Sequence, residues 1–318
     1  MHGTGLTDVG VWRDNNEDSF TLVSVRALGK EGPEDFLLGL VADGMGGAAA
    51  GEIASHTAVD TIPREVAAGL LADRPGKDPV AETSELLKAA VLAANARIVA
   101  LARDHEEYEG MGTTSTLALL REGIIYFAHV GDSRGYLWRE GQLRQVTEDH
   151  SWVGEMVRAG VMTPEQAKRH PRRNEIGRAL GIWEHIDVDV YRLAMRAGDV
   201  LLLCSDGLWE MVSDERIQTV LALPSAPEGE EERLHFWAQT LINEANSAGG
   251  EDNVSVVLLH VEEKDVVAGA EALLAPKPTT RRRRRADPNA PVDLTTTRRY
   301  SEGEGERTRT PRSEGEGE

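Results

Sequence analysis

The chain has 318 residues, enough for one large domain or two ordinary ones. With 35 basic against 54 acidic residues, its formal net charge is −19. That balance speaks against a general nucleic-acid binder, which a phosphate backbone would repel, and suits a protein that gathers carboxylates around cations. The single cysteine, Cys204, rules out an intrachain disulfide and fits a reducing compartment.

Residues 1–10 show no basic region followed by an apolar run, so no signal peptide is expected. No stretch approaches the roughly 18 apolar residues of a membrane span, and the expected location is the cytoplasm. Asp18 closes Asn16-Glu17-Asp18 just ahead of a strand-like stretch, Ser19–Val23. Phe36–Ala42 is an apolar run that reads as a buried strand and ends at Asp43-Gly44. Ala48–Leu71 and Thr83–Asp104 carry helical spacing, the second with Leu87, Val91, Ala94, Ile98 and Leu101 on one face.

Ile124–Val130 and Gly135–Trp138 flank Gly131-Asp132-Ser133-Arg134, which reads as a hairpin. A second hairpin joins Trp138 to Gln142–Val146 across Arg139-Glu140-Gly141. Shorter helices are predicted at Ser151–Ala159, Thr163–Arg169, Asp214–Ala222 and Glu231–Ala248, and strands at Val188–Leu193, Val200–Cys204 and Val254–Val261. Consecutive hairpins with helices grouped apart point to an α+β fold, not an alternating βαβ sheet.

The folded body is expected over residues 3–263, followed by a disordered low-complexity tail over 264–318. From residue 277 onward the chain holds Arg281–Arg285 and the hexamer Ser-Glu-Gly-Glu-Gly-Glu at 301–306 and 313–318. Few large apolar side chains occur there to offset the entropy of ordering it. This stretch has 11 basic and 8 acidic residues, against 24 and 46 in the rest of the chain. The opposite signs leave three readings of the arginine run: a solvated linker, a site for an anionic partner or membrane surface, or a segment that folds back on the acidic body.

The informative feature is a set of carboxylates at the ends of predicted strands: Asp18, Asp43, Asp132, Asp206 and Asp252. A single Asp-Gly is an ordinary turn. If those strands lie side by side, the five carboxylates would repel one another unless cations neutralised them. With no Cys or His pairs among them, they suit hard ions such as Mg²⁺ or Mn²⁺ over structural zinc.

Gly10-Val11-Trp12-Arg13-Asp14-Asn15-Asn16-Glu17-Asp18 and Val41-Ala42-Asp43-Gly44-Met45-Gly46-Gly47 together resemble the metal-dependent protein phosphatase family (type 2C), bacterial branch. In the family's order follow Gly112-Thr113-Thr114-Ser115-Thr116, Val130–Arg134, Thr147–Ser151, Arg178–Gly181, Ser205–Leu208 and Glu251–Asn253. The resemblance implies a four-layer α-β-β-α sandwich of two antiparallel sheets flanked by helices, with a small flap subdomain at about 151–181. It implies hydrolysis of phosphoserine and phosphothreonine on proteins, with two Mn²⁺ or Mg²⁺ ions and room for a third.

By position, Asp43 would bridge the two ions with the Gly44 carbonyl beside it, and Asp206 and Asp252 would complete one of them. Glu17 and Asp18 would surround the other through water, and Asp132 would share a third with Asp206. Arg13 would grip phosphate oxygens bidentately, which a lysine could not do. The implied partners are phosphorylated proteins, Ser/Thr kinases and their substrates among them, met by a monomer.

Many eukaryotic members have a histidine two residues after the bridging aspartate as proton donor; here that position is Met45. His129 and His150 read as structural. Arg172 and Arg173, in the flap, stand as candidates to meet a phosphoprotein. A thiol phosphatase would need an arginine six residues after Cys204, where Glu210 stands. A metallophosphoesterase of small esters would show Asp-x-His and Gly-Asn-His-Glu, and neither occurs. The remaining alternative is a phosphoprotein sensor without turnover, against which the intact carboxylate set argues.

Overall fold

The computed structural model describes residues 1–28, 33–46, 50–72, 78–173, 175–224 and 229–274. In chain order these form β1 (His2–Asp8), β2 (Ser19–Leu28), β3 (Pro33–Ala42), β4 (Gly44–Met45), α1 (Ala50–Leu71) and α2 (Pro79–Asp104). Next come β5 (Gly112–Thr113), β6 (Ser115–Arg121), β7 (Ile124–Val130), β8 (Arg134–Arg139), β9 (Gln142–Gln145), α3 (Trp152–Arg158) and α4 (Pro164–Ala167). The remainder is β10 (Asp189–Ala194), β11 (Val200–Cys204), α5 (Asp206–Trp209), α6 (Asp214–Leu221), α7 (Glu230–Ala248), β12 (Val254–His260) and α8 (Ala270–Leu274).

Two antiparallel sheets run β1-β12-β11-β8-β9 and β10-β7-β6-β3-β2, with β4 and β5 paired as a separate ribbon. Their strands explain the apolar runs in the sequence. On β3, Phe36, Leu38, Leu40 and Ala42 pack against α1 and α2, while Leu37 and Val41 meet the other sheet. On β11, Val200, Leu202 and Cys204 pack beneath α6 and α7, while Leu201 and Leu203 meet the sheet that holds β3. A strand covered on both faces has no polar alternation to keep. Each such leucine contributes about 1.5–3 kcal/mol of burial. The layers are those of the expected α-β-β-α sandwich.

Several expectations are corrected. Gly131–Arg134 is not a hairpin: β7 and β8 lie in different sheets, and this short segment crosses between them. Helix α2 starts four residues before Thr83, with Asp78 as N-cap accepting from the Ala81 amide and Pro79 at its first position, where proline's missing N–H costs nothing. Strands β1 and β6 went unpredicted. The folded unit is Met1–Ala275, so it passes residue 263; Ala270 on α8 is buried. The remainder of the expected tail, with the arginine run, lies outside the described residues, as do Asn174 and residues 47–49 at the head of α1. Among the described residues no helix is long and apolar enough to cross a membrane.

Candidate metal centre

The strand ends converge through short polar links. Asp43 leaves β3 with its main chain held on both sides: its N–H donates to Thr114 Oγ1 at 2.9 Å, and its carbonyl accepts from Thr114 N and Thr113 Oγ1, each at 2.9 Å. That fixes the backbone without using the carboxylate, which meets that of Asp206. Gly44 N donates to the Glu17 carbonyl at 3.2 Å. A Cβ on Gly44 would lie 2.3 Å from the Gly51 carbonyl oxygen and 2.5 Å from that of Glu17, so only glycine admits this approach.

Asn253 ties the loop before β2 to the start of β12. Its side chain accepts from Glu17 N at 2.8 Å and donates to the carbonyls of Val9 and Asn15, both at 2.9 Å. Ser205, at the end of β11, donates to Asp18 Oδ2 at 2.6 Å. Asp206 then opens α5. Asp132 sits in the sheet-to-sheet crossing, its carbonyl accepting from Trp209 Nε1 at 3.1 Å. Its carboxylate is buried, and Oδ1 has no hydrogen-bond partner. Arg13 reaches Asp252 Oδ2 through Nη2 at 2.6 Å.

Electrostatics reports the same convergence. Burial pushes the Asp43 carboxyl well above the usual range, and the charges of Asp206, Asp18, Asp132 and Asp252 push it further. Asp132 is raised by burial, then by Asp206 and Asp149. Asp206 is pushed up to about 7 by burial, Asp252 and Glu210. Asp18 is pushed up to about 8, chiefly by burial, against the lowering effect of Ser205 and Ser255. Glu17 is raised by burial, with Arg13 opposing. These carboxylates sense one another, and without a cation the site favours protons it would not hold in water.

All seven predicted site residues other than Arg13, namely Glu17, Asp18, Asp43, Gly44, Asp132, Asp206 and Asp252, belong to this constellation, and Arg13 stands at its edge, half-exposed. Among the described residues, no three carboxylate, imidazole or thiolate groups close on one point as a finished shell. An all-oxygen donor set with gaps between its members is what hard divalent ions take, because they keep several of their waters. The orphaned Asp132 oxygen and the mutually raised carboxylates fit such ions.

Sequence reasoning did not assign roles to Asn253, Ser205, Thr113 and Thr114, although each lies in a matched motif beside a carboxylate. His129 and His150 are structural, as predicted. His129 hydrogen-bonds Thr116 Oγ1 at 2.9 Å and the Glu148 carbonyl at 3.1 Å; burial and then His150 drop it to about 3. His150 accepts from Gly131 N at 3.1 Å, and its Nε2 lies 3.1 Å from Asp189 Oδ2. Cys204 is fully buried in apolar surroundings, and burial pushes its thiol far up. Met45 is half-buried in β4, opposite Gly112. Arg172 is engaged within the flap: it pairs with Glu175 and lies 4.1 Å over the Trp152 ring.

The sandwich and its carboxylate edge define a phosphatase class, and the chain belongs to the protein phosphatase 2C family, whose model matches residues 15–241. The serine/threonine phosphatase stp of Listeria monocytogenes is 37% identical over 262 residues, 81% of this chain and 95% of that one. The serine/threonine protein phosphatase PstP of Mycobacterium tuberculosis is 40% identical over 270 residues, 83% of this chain and 47% of its own length. The crystal structure of the PstP catalytic domain in complex with two manganese ions matches with a TM-score of 0.66 and 38% identity, covering 82% of this chain and 98% of that one.

Proposed function

We infer that this chain is a metal-dependent protein serine/threonine phosphatase that hydrolyses phosphoserine and phosphothreonine at a dinuclear Mn²⁺ or Mg²⁺ centre. The observation that carries the reading is the convergence of Asp18, Asp43, Asp132 and Asp206, with carboxyls raised by burial and mutual charge, beside an arginine, in a member of this family. Asp43 would bridge two ions with the Gly44 carbonyl adjoining, Asp206 and Asp252 would complete one, and Glu17 and Asp18 would serve the other through water. Asp132 would hold a third together with Asp206. When bound, the ions lower the pKa of a shared water and neutralise phosphate charge.

The chain's own groups do the rest. The Arg13–Asp252 pair is solvent-exposed, and such pairs contribute little, so the guanidinium is free to exchange this carboxylate for two phosphate oxygens. Water attacks phosphorus, the bond to the serine or threonine oxygen breaks, and that oxygen must gain a proton. Met45 has none to give, so the donor is solvent. Phosphorylated proteins, Ser/Thr kinases and their targets included, are the partners of this reading, and a cytoplasmic monomer its setting.

The test is phosphate release from a phosphothreonine peptide with Mn²⁺ and with EDTA, for wild type and Asp206→Asn. Release that requires Mn²⁺ and falls at least about a hundredfold in the variant is expected, since even partners behind metal ligands are worth 10–100-fold. No release from several peptides, with metal still bound, would make the chain a sensor instead.

A further inference from the structure

The turn that presents Arg13 is unusually well held. Gly10 N donates to Asp8 Oδ1 at 2.9 Å, Val11 N and Trp12 N both donate to the Gly250 carbonyl at 2.8 and 3.3 Å, and Asn253 clamps Val9 and Asn15. Gly250 lies so close beneath that a Cβ on it would come 2.6 Å from Val11 Cγ2. On this rigid turn Trp12 is 75% exposed and Val11 62% exposed. Among the described residues the Trp12 indole has no hydrogen-bond, ring or cation partner.

A scattered exposed apolar residue needs no explanation. A tryptophan fixed one residue from a phosphate-gripping arginine is different, because substrate geometry brings something to it. Consecutive Cα atoms are about 3.8 Å apart, so Trp12 stands one step from Arg13, and a peptide whose phosphate reaches Arg13 is brought to the turn that carries Trp12. An exposed indole on a held backbone offers a large apolar contact area with only two side-chain torsions to fix.

We propose that Trp12, with Val11 beside it, is the docking platform for the apolar side chain flanking the phosphorylated residue of a protein substrate. The proposal rests on the phosphatase reading and adds a substrate class to it: phosphosites with a leucine, phenylalanine or similar residue adjacent. Asp14, Glu17 and Glu251 lie along the same turn and its clamp, so an acidic neighbour is disfavoured there.

The test uses the full chain with Mn²⁺ and two peptides that differ only at the residues flanking phosphothreonine, glycine in one and leucine in the other. Wild type is expected to prefer the leucine peptide about tenfold in kcat/KM, a size typical of one apolar contact. Trp12→Ala should erase that preference by raising KM for the leucine peptide, leaving kcat and the glycine peptide unchanged; Trp12→Phe should restore most of it. Equal hydrolysis of both peptides by wild type would overturn the proposal. So would an equal loss on both in Trp12→Ala, which would make Trp12 a support for Arg13. Absence of release from either peptide by wild type would overturn the phosphatase reading itself, a result distinct from equal hydrolysis.

Discussion

Two buried polar regions lie side by side in this protein and are built on opposite rules. Around His129 and His150 the groups are matched: both His129 nitrogens have partners, and Arg134 forks onto Asp149 (2.7 Å from Nη2 to Oδ2) while lying 3.7 Å over the Trp209 ring. A few residues away, Asp132 has an oxygen with no partner, and Asp43 faces four other aspartates. Buried polar groups are normally satisfied, so the first region describes a scaffold, while mutually repelling carboxylates are the mark of a candidate site. The difference separates residues that hold the fold from residues that it holds in readiness.

Mutations that exchange the two behaviours are the way to break the comparison. The largest effect is expected at Asp206, where Asp206→Asn should abolish turnover by at least about a hundredfold yet raise the melting temperature of the metal-free protein, because one repelling charge is gone. If calorimetry in EDTA shows that variant melting lower than wild type, the carboxylates are structural. On the scaffold side, Arg139 forks onto the fully buried Asp199, with two contacts of 2.6 Å. Arg139→Met would strand that carboxylate, a loss of about 3–5 kcal/mol in urea unfolding, with Mn²⁺ affinity unaltered. A variant that unfolds normally but binds metal poorly would reverse the assignment.

The pH dependence sharpens the contrast. Asp206 and Asp18 have carboxyls raised to about 7 and about 8. The metal-free fold therefore binds protons more tightly than the unfolded chain. Its stabilisation from these groups is complete below about pH 4 and is lost as pH rises through 7 to 8. His129 runs the other way: held near 3, it contributes stability above about pH 6.5 that is lost as pH falls toward 3. Thermal melts in EDTA should show the metal-free protein losing stability between pH 6.5 and 8.5, and Mn²⁺ should remove that loss. A flat profile without metal would deny the repulsion.

The smallest effect expected is at Gly44. Gly44→Ala must displace the Gly51 carbonyl of α1 as well as the Glu17 loop, so urea unfolding in EDTA should show a loss of about 1–3 kcal/mol and Mn²⁺ binding should weaken several-fold; a variant that unfolds and binds like wild type would deny that close approach.

Much of this was readable in the chain. Asp43 and Asp206 follow apolar runs that could only be buried strands, and their Asp-Gly endings mark where those strands leave the sheet. What stayed hidden was non-local. Gly131–Arg134 has the composition of a hairpin turn, and nothing within four residues says that the strands on either side join different sheets. Yet that crossing is what carries Asp132 to the others. Ser205 meets Asp18 across 187 positions and Asn253 meets Asn15 across 238, so neither link has a local signature. Helix α2 is the exception: Asp78-Pro79 is a start signal that hydrophobic periodicity alone, beginning at Thr83, did not register.

The central claim is that these carboxylates are a metal centre, and counting the bound ions tests it most directly. Calorimetric titration of the metal-free chain with Mn²⁺ should give two sites in wild type, with fewer or far weaker sites in Asp43→Asn at unchanged fold. Identical titrations for the two proteins, or no binding to either, would contradict it.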